Sequence, residues 1–533
     1  MTIEQISEQK MHLIRWVLVI GWLILIISLF YDPISHHLSD PNNSFSPFAD
    51  RNITLANIPD RCVKVQGECL VETPYPMGTR LFWGTIVPSA IAIVFVLGHE
   101  TWRRICPLYF LSQIPRALGL KPRLRINNNR WLVCNHLYVQ FALLFIGLNL
   151  RILAINSARI VFGCFLLFTI FSAITVVFLY GGRSWCHYVC PFGIVQMVFT
   201  GPRGLLDSEA HTAPPKSITQ SMCRTVDRTG KEKIACTNCK SACMDIDAER
   251  SYWEHLTQPG RKLVQYGYLG LVCGYFAYYY LYAGNFHYYF SGAWTHEEDQ
   301  LATILKPGFY LFDRSIPIPK LIAVPLTLTL FIWICRTIGI KSEKALFSYL
   351  RRRDRSIDRQ QMIHRVFSVC TFIAFNAFFV YGGRPEILRL PLVVQQVFNA
   401  FIILVSSVWL YRTWRRSSGQ YYKEGLAHKL RRQLKKLSLD LSELLEGRSL
   451  NELNADELYI LASAIPNATR QDRYRVYQEI LQEALSEKLF EPNASREALR
   501  QLRDKLELTE EEHDRILLEV IEGKPDLIGQ VVK

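Results

Sequence analysis

The chain alternates between long apolar runs and short charged connectors, and the runs have the length of membrane-crossing helices. A hydrocarbon core of about 30 Å takes about 20 residues of apolar helix. Eight segments meet that length, near 13-30, 81-98, 132-150, 158-181, 263-284, 319-339, 363-381 and 391-411. No small-residue cleavage site follows Leu29-Phe30-Tyr31, so the first reads as an uncleaved anchor. Beyond residue 411 the pattern changes, and apolar positions such as Leu458, Leu461, Tyr477, Ile480 and Leu481 recur at helical spacing in a charged background. Asn454 suits the cap of a helix over 455-464, and Thr509 with Glu512 forms a capping box opening a helix to about Ile521. The predicted fold is all-α: a polytopic membrane domain over 1-411 with about eight transmembrane helices and a cytoplasmic cysteine-rich loop at 182-262, then a small helical C-terminal domain over 412-533.

Charge orients the spans, because Lys and Arg in short connectors resist translocation. The connector 99-131 carries Arg103, Arg104, Arg116, Lys121, Arg123, Arg125 and Arg130. The connector 340-362 carries Lys341, Lys344, Arg351, Arg352, Arg353, Arg355 and Arg359. Both belong in the cytoplasm, as does the similarly basic 182-262. By contrast, 285-318 holds Glu297, Glu298, Asp299 and Asp313 against Lys306 and Arg314, and reads as external. With eight spans these assignments alternate, which puts both termini in the cytoplasm; the membrane expected is a bacterial inner (cytoplasmic) one. Half of the 533 residues are apolar and the net charge is +14. Basic loops facing anionic lipid heads account for that charge without a nucleic-acid partner. The stretch from Arg412 to Leu437, with Lys429, Arg431, Arg432, Lys435 and Lys436, reads as a helix lying along such lipid.

This topology sorts the fourteen cysteines. Cys62 and Cys69 fall in the external loop, where their spacing permits a local disulfide. Cys164, Cys273 and Cys370 lie within spans and Cys134 and Cys335 near span ends, where cysteine acts as a small apolar residue. Cys106, Cys186, Cys190, Cys223, Cys236, Cys239 and Cys243 are cytoplasmic, where reducing conditions favour metal ligation over disulfides. Cys236, Cys239 and Cys243 form a C-x2-C-x3-C run, and Cys186 with Cys190-Pro191 forms a C-x3-C-P element directly after the fourth span. A cysteine before proline is a frequent ligand of an iron–sulfur cubane. Four cysteines also satisfy structural zinc.

The segment Tyr180-Gly181-Gly182-Arg183-Ser184-Trp185-Cys186 through Cys190-Pro191-Phe192-Gly193 resembles the membrane-embedded ferredoxins of the NapH/NosR type, over about residues 80-260. The resemblance implies 4Fe-4S centres and electron transfer linked to respiratory or maturation systems. Two departures stand out. The cysteine run is shortened, with Met244 where the family has proline. Gly98 through Pro107 repeats Gly182 through Pro191 at an offset of 84, but Trp102 stands where Cys186 stands. One cluster is expected from Cys190, Cys236, Cys239 and Cys243. Cys186 and Cys223 are the next candidates, serving a second centre with Cys106.

Other features carry blander readings. His99, His136, His187 and His364 fall near cytoplasmic span ends, where interfacial roles compete with haem ligation; His99 or His187 could also serve a second cluster as a non-cysteine ligand. Tyr278 to Tyr282 and the stretch from Phe286 to Asp299 read as an interfacial aromatic belt, with a quinone site at His287 and His296 as the sharper alternative. Tyr381-Gly382-Gly383-Arg384 echoes Tyr180 to Arg183 but falls on the opposite face with no cysteine after it. No catalytic residue set, nucleotide loop or triad is present. The sequence therefore predicts a redox subunit or maturation factor rather than a stand-alone enzyme, exchanging single electrons with a redox partner protein or a quinone. The other reading is a membrane scaffold or regulatory protein with a structural zinc site and a partner-binding helical tail.

Overall fold

The computed structural model describes residues 6–39, 62–71, 77–206, 223–226, 229, 231–237, 239–240, 242–295, 300–353, 358–436, 445, 448–463, 469–487 and 493–523. Among the described residues of 1–414, eight long helices form: α1 Glu8–Phe30, α2 Val87–Ile105, α3 Arg130–Leu150, α4 Arg159–Tyr180, α5 Arg261–Ala283, α6 Lys320–Arg353, α7 Arg359–Asn376 and α8 Leu392–Trp414. Seven of the long helical runs are apolar enough to cross a membrane, one of them extending through α2 over Met77–Ser112. They expose large apolar side chains such as Leu13, Val17, Phe168, Phe171, Ile322, Leu326, Val397 and Leu404, which is unfavourable in water and ordinary against lipid. The chain is accordingly a multi-pass membrane protein.

The expected eighth apolar span is corrected by α5, which has the length but is rich in tyrosine and largely buried. Packing replaces lipid as its surroundings. A Cβ on Gly270 would come within 2.6 Å of the Phe331 carbonyl oxygen and 2.7 Å of Ile332 Cα, so glycine there lets α5 and α6 touch backbone to backbone. The helix still traverses from one end of the bundle to the other. At its start Lys262 pairs with Glu343. At its finish the Ala283 carbonyl accepts from Gln66 N–H at 3.3 Å. The first end also gathers Glu8, Arg15, Arg104, His364 and Thr413 through side-chain bonds. The other end is closed by Arg80 with Glu386, Ser157 with Gln300, and Tyr289 with the Gly382 carbonyl. Gly382 and Gly181 thus lie at opposite ends.

The aromatic stretch is a surface belt only in part: Tyr280 and Phe286 are exposed, while most of its rings turn inward. Tyr275, Tyr278, Tyr279, Tyr282, Tyr288, Tyr289 and Trp294 are buried. The Arg151 guanidinium lies 4.1 Å from the Trp83 ring centre and 4.7 Å from that of Tyr275, a cation–π arrangement that draws aromatic faces inward. His296, Glu297, Glu298, Asp299 and Arg355 lie outside the described residues. In the outer hairpin, β1 Cys62–Val65 pairs antiparallel with β2 Glu68–Val71. Cys69 is disulfide-bonded, while the Cys62 side chain is outside the described residues.

Residues 415–533 contribute a second compact unit. Its helices include Ser418–Leu434, Ala455–Ser463, Arg470–Ser486, Asn493–Lys505 and Glu510–Glu522. The helix expected to lie on lipid packs within this unit instead. Lys429, Arg432 and Lys436 pair with Glu487, Glu483 and Glu479, so its basic stripe is neutralised by acids of the later helix. Asn454 and Glu457 bond reciprocally, and Thr509 with Glu512 closes a capping box. Thr509→Ala should cost about 1 kcal/mol of this unit's stability, read as a lower melting midpoint by helical circular dichroism of the full chain.

Candidate functional site

The cysteines gather at the end of the bundle where α2 and α4 finish, and both helices finish in the same way. Gly98 breaks the helical run of α2 with φ 78° and ψ 175°. Gly181 ends α4 with φ 72° and ψ 179°. Such φ values favour glycine. Each turn leads to a cysteine before proline: Cys106 with φ −59° and ψ 115°, Cys190 with φ −56° and ψ 120°. The sequence repeat is thus a structural repeat with one refinement. The cysteines are offset by 84 but the glycine turns by 83, and the extra residue is absorbed in a π-helical turn at Trp185–Val189, which is how a helix takes up an insertion. In each copy the thiol accepts backbone N–H groups two and three residues on, from Leu108 and Tyr109 at Cys106 and from Phe192 and Gly193 at Cys190. Gln140 of α3 fastens the second copy by donating to the Cys186 and Cys190 carbonyls at 3.2 and 3.0 Å.

Both copies grip one carboxylate. His99 Nε2 lies 2.5 Å from Asp245 Oδ1, the Arg183 guanidinium donates to the same oxygen at 2.5 Å, and His187 Nε2 lies 2.9 Å from Oδ2. Arg103 donates to the Asp245 backbone carbonyl at 3.0 Å. At the offset of 84, His99 corresponds to Arg183 and Arg103 to His187, so each repeat contributes one histidine and one arginine. Arg183 also donates to the Arg103 carbonyl at 3.1 Å and lies over the Tyr109 ring at 3.7 Å. Asp245 is 1 % exposed. Burial alone would raise its carboxyl, but Arg183 and His187 outweigh burial and hold it well below the usual range. Burial lowers Arg183, and Asp245 more than restores it.

Around this hub the thiols fall into two groups. Strands β3 Arg224–Val226 and β4 Glu232–Ile234 pair so that Arg224 faces Ile234, and the Cys223 carbonyl accepts from Ala235 N–H at 2.7 Å. The hairpin therefore carries Cys223 back beside Cys236. The charges acting on Cys239 include Cys223 and Cys236, and those on Cys243 include Cys239 and Cys223. The other group is Cys106, Cys186 and Cys190, whose sulfurs act on one another. Burial pushes Cys190 up to about 12 and Cys239 up to about 11, and raises Cys186, Cys223 and Cys243 as well. Such thiols release their protons when a metal takes the thiolate. Cys236 is exposed, Cys190 is buried, and the others lie between.

Cys223, Cys236, Cys239 and Cys243, linked by these charge interactions, offer four sulfurs, the donor number of a cubane. Backbone N–H groups of Arg183 and Asp245 reach the Cys239 and Cys243 sulfurs, the kind of bond that tunes such centres. His187, Cys243 and Asp245 also bring one ligand atom each within 4.8 Å of one another, a mixed metal-ligand set. Its Asp245 carboxylate is shared with His99 and Arg183. His136 bonds Lys240 and the Val133 carbonyl, and His364 bonds Tyr252 and the Thr413 carbonyl; at these two both ring nitrogens are engaged, leaving neither for haem.

Gly182 presses on the four-cysteine loop. Its φ is +59°, and a Cβ there would sit 2.2 Å from Thr237 Oγ1 and 3.4 Å from Cys239 Sγ. Gly182→Ala should cost at least about 1–2 kcal/mol from backbone conformation alone, measured as a lowered thermal midpoint of the solubilised protein, with Gly147→Ala, where a Cβ meets nothing within 4 Å, as the unaffected control.

A 4Fe-4S binding domain is present over residues 164–207, which match the family of that description. No curated protein and no solved structure matches the chain.

Proposed function

We propose that this chain is a membrane-bound iron–sulfur protein of the NapH/NosR type that passes single electrons at the cytoplasmic face of a bacterial inner membrane, as a redox subunit or maturation factor. The grouping of Cys223, Cys236, Cys239 and Cys243 around the Asp245 hub carries this reading. These four are the ligands proposed for a 4Fe-4S cluster. Cys223 rather than Cys190 is the fourth ligand in this proposal: the β3–β4 hairpin returns it toward Cys236, and Cys106 is the cysteine that acts on Cys190. That second group is the site proposed for a second centre. A bound cluster supplies a one-electron couple. The chain's own residues fix its surroundings: Arg183 and Lys240 place positive charge beside anionic sulfur, and exposed Cys236 offers a partner protein an approach. The basic connectors at this end favour the cytoplasm, and the electron partner is a soluble redox protein or a membrane quinone.

The mixed donors His187, Cys243 and Asp245 favour a second reading, a scaffold with structural zinc. Metal analysis of anaerobically purified protein separates the two. Iron and acid-labile sulfide at about four each per cluster support the first; zinc without sulfide supports the second.

A further inference from the structure

Beside the hub lies a buried cavity of about 30 Å³ whose lining includes His99, His187, Lys240, Tyr252, His255 and Arg261. A single water needs roughly 10–15 Å³ by that measure, so the space suits two waters or one small oxyanion. Among the described residues no Asp or Glu lines it, Cys186 does, and Asp245 bonds His99 and His187 of its wall from behind. Arg261, at the first position of α5, is 2 % exposed. Its guanidinium makes one long bond, from Nη2 to the Met197 carbonyl at 3.4 Å, while Nε and Nη1 are buried with no hydrogen-bond partner. The rings of Tyr252 and Phe367 flank it at 5.5 and 5.8 Å. Tyr252 is the group able to carry negative charge that acts on it. A guanidinium stays charged at any physiological pH, and a buried charge without a partner costs several kcal/mol. Lys240 and His255 add donors to the same space, held in place by His136 at 3.2 Å and Ser251 at 3.1 Å. The positive end of α5 adds to the same field.

From this we infer that the cavity binds a phosphate-class oxyanion, with Arg261 as the principal ligand and Lys240 and His255 as supporting donors. The forked guanidinium matches two oxygens of such a group. The same chemistry is offered by free inorganic phosphate and by the head group of an anionic phospholipid, and basic pockets between membrane helices bind such head groups. The inference goes beyond the iron–sulfur reading; because Cys186 also lines the cavity, the metal content of each variant is measured beside its phosphate response, so that loss of a metal centre and loss of the oxyanion site are told apart.

The test uses the full chain, purified in detergent with its metal content intact. Thermal midpoints are followed against sodium phosphate, against sodium chloride at equal ionic strength, and against short-chain phosphatidylglycerol with phosphatidylcholine as the neutral control. A saturable rise with phosphate identifies the free ion, and one with phosphatidylglycerol alone identifies the lipid head group. In either case Arg261→Gln should weaken the apparent affinity at least tenfold, with Arg261→Lys between the two. If Arg261→Gln does not accumulate, His255→Gln and the native mass spectrum of the unmodified protein decide. A weakened response in His255→Gln together with a phosphate or anionic-lipid adduct supports the site. No saturable rise over the chloride and neutral-lipid controls, an unaltered response in the variants, or a spectrum free of both adducts overturns it.

Discussion

Asp245→Ala should lower the stability of the membrane unit by about 3–5 kcal/mol, the loss expected when one partner of a buried ion pair is removed. The substitution strands Arg183, which is 3 % exposed, together with His99 and His187, whose ring nitrogens now meet the carboxylate. It also unties the two Cys-Pro repeats from the loop that carries Cys243. Asp245→Asn retains the shape and an acceptor oxygen but loses the charge, so its loss should be smaller. Thermal unfolding of the solubilised protein, followed by tryptophan fluorescence, reads both. An Asp245→Ala midpoint equal to that of the unmodified chain would show that the hub does not hold the repeats together.

Single serine substitutions of Cys223, Cys236, Cys239 or Cys243 should each remove most of the iron of one cluster, about four atoms. Cys190→Ser and Cys106→Ser should leave that centre in place. The distinction follows from the hairpin, which sets Cys223 beside Cys236, and from the separate grouping of Cys106, Cys186 and Cys190. Iron content and visible absorption of the purified variants give the answer. Retention of the centre in Cys223→Ser with its loss in Cys190→Ser would restore Cys190 as the fourth ligand.

Much of the bundle was legible because length and apolar continuity are local properties. Helix α5 was found for the same reason, yet its surroundings were not: its tyrosines turn inward because Arg151 and the packed face of α6 receive them, and no local pattern announces such partners. The partners of the basic helix at Ser418–Leu434 are equally remote in sequence, since the acids Glu483 and Glu479 lie on Arg470–Ser486. At the site, the cysteine run was plain, but the place of Cys223 depended on a hairpin of three-residue strands too short to show alternation. Asp245 was passed over as the residue after an unexpected Met244. The signal that could have found the hub was the repeat itself, since the offset of 84 sets a histidine in each copy against an arginine in the other, and two buried guanidinium groups on two repeats call for an acid between them.

The central claim is that Cys223, Cys236, Cys239 and Cys243 hold a one-electron iron–sulfur centre, and low-temperature electron paramagnetic resonance of the anaerobically purified protein, before and after dithionite, tests it most directly. A paramagnetic iron–sulfur signal should appear on reduction and be lost in Cys223→Ser. A colourless protein with stoichiometric zinc and no signal in either state would contradict it.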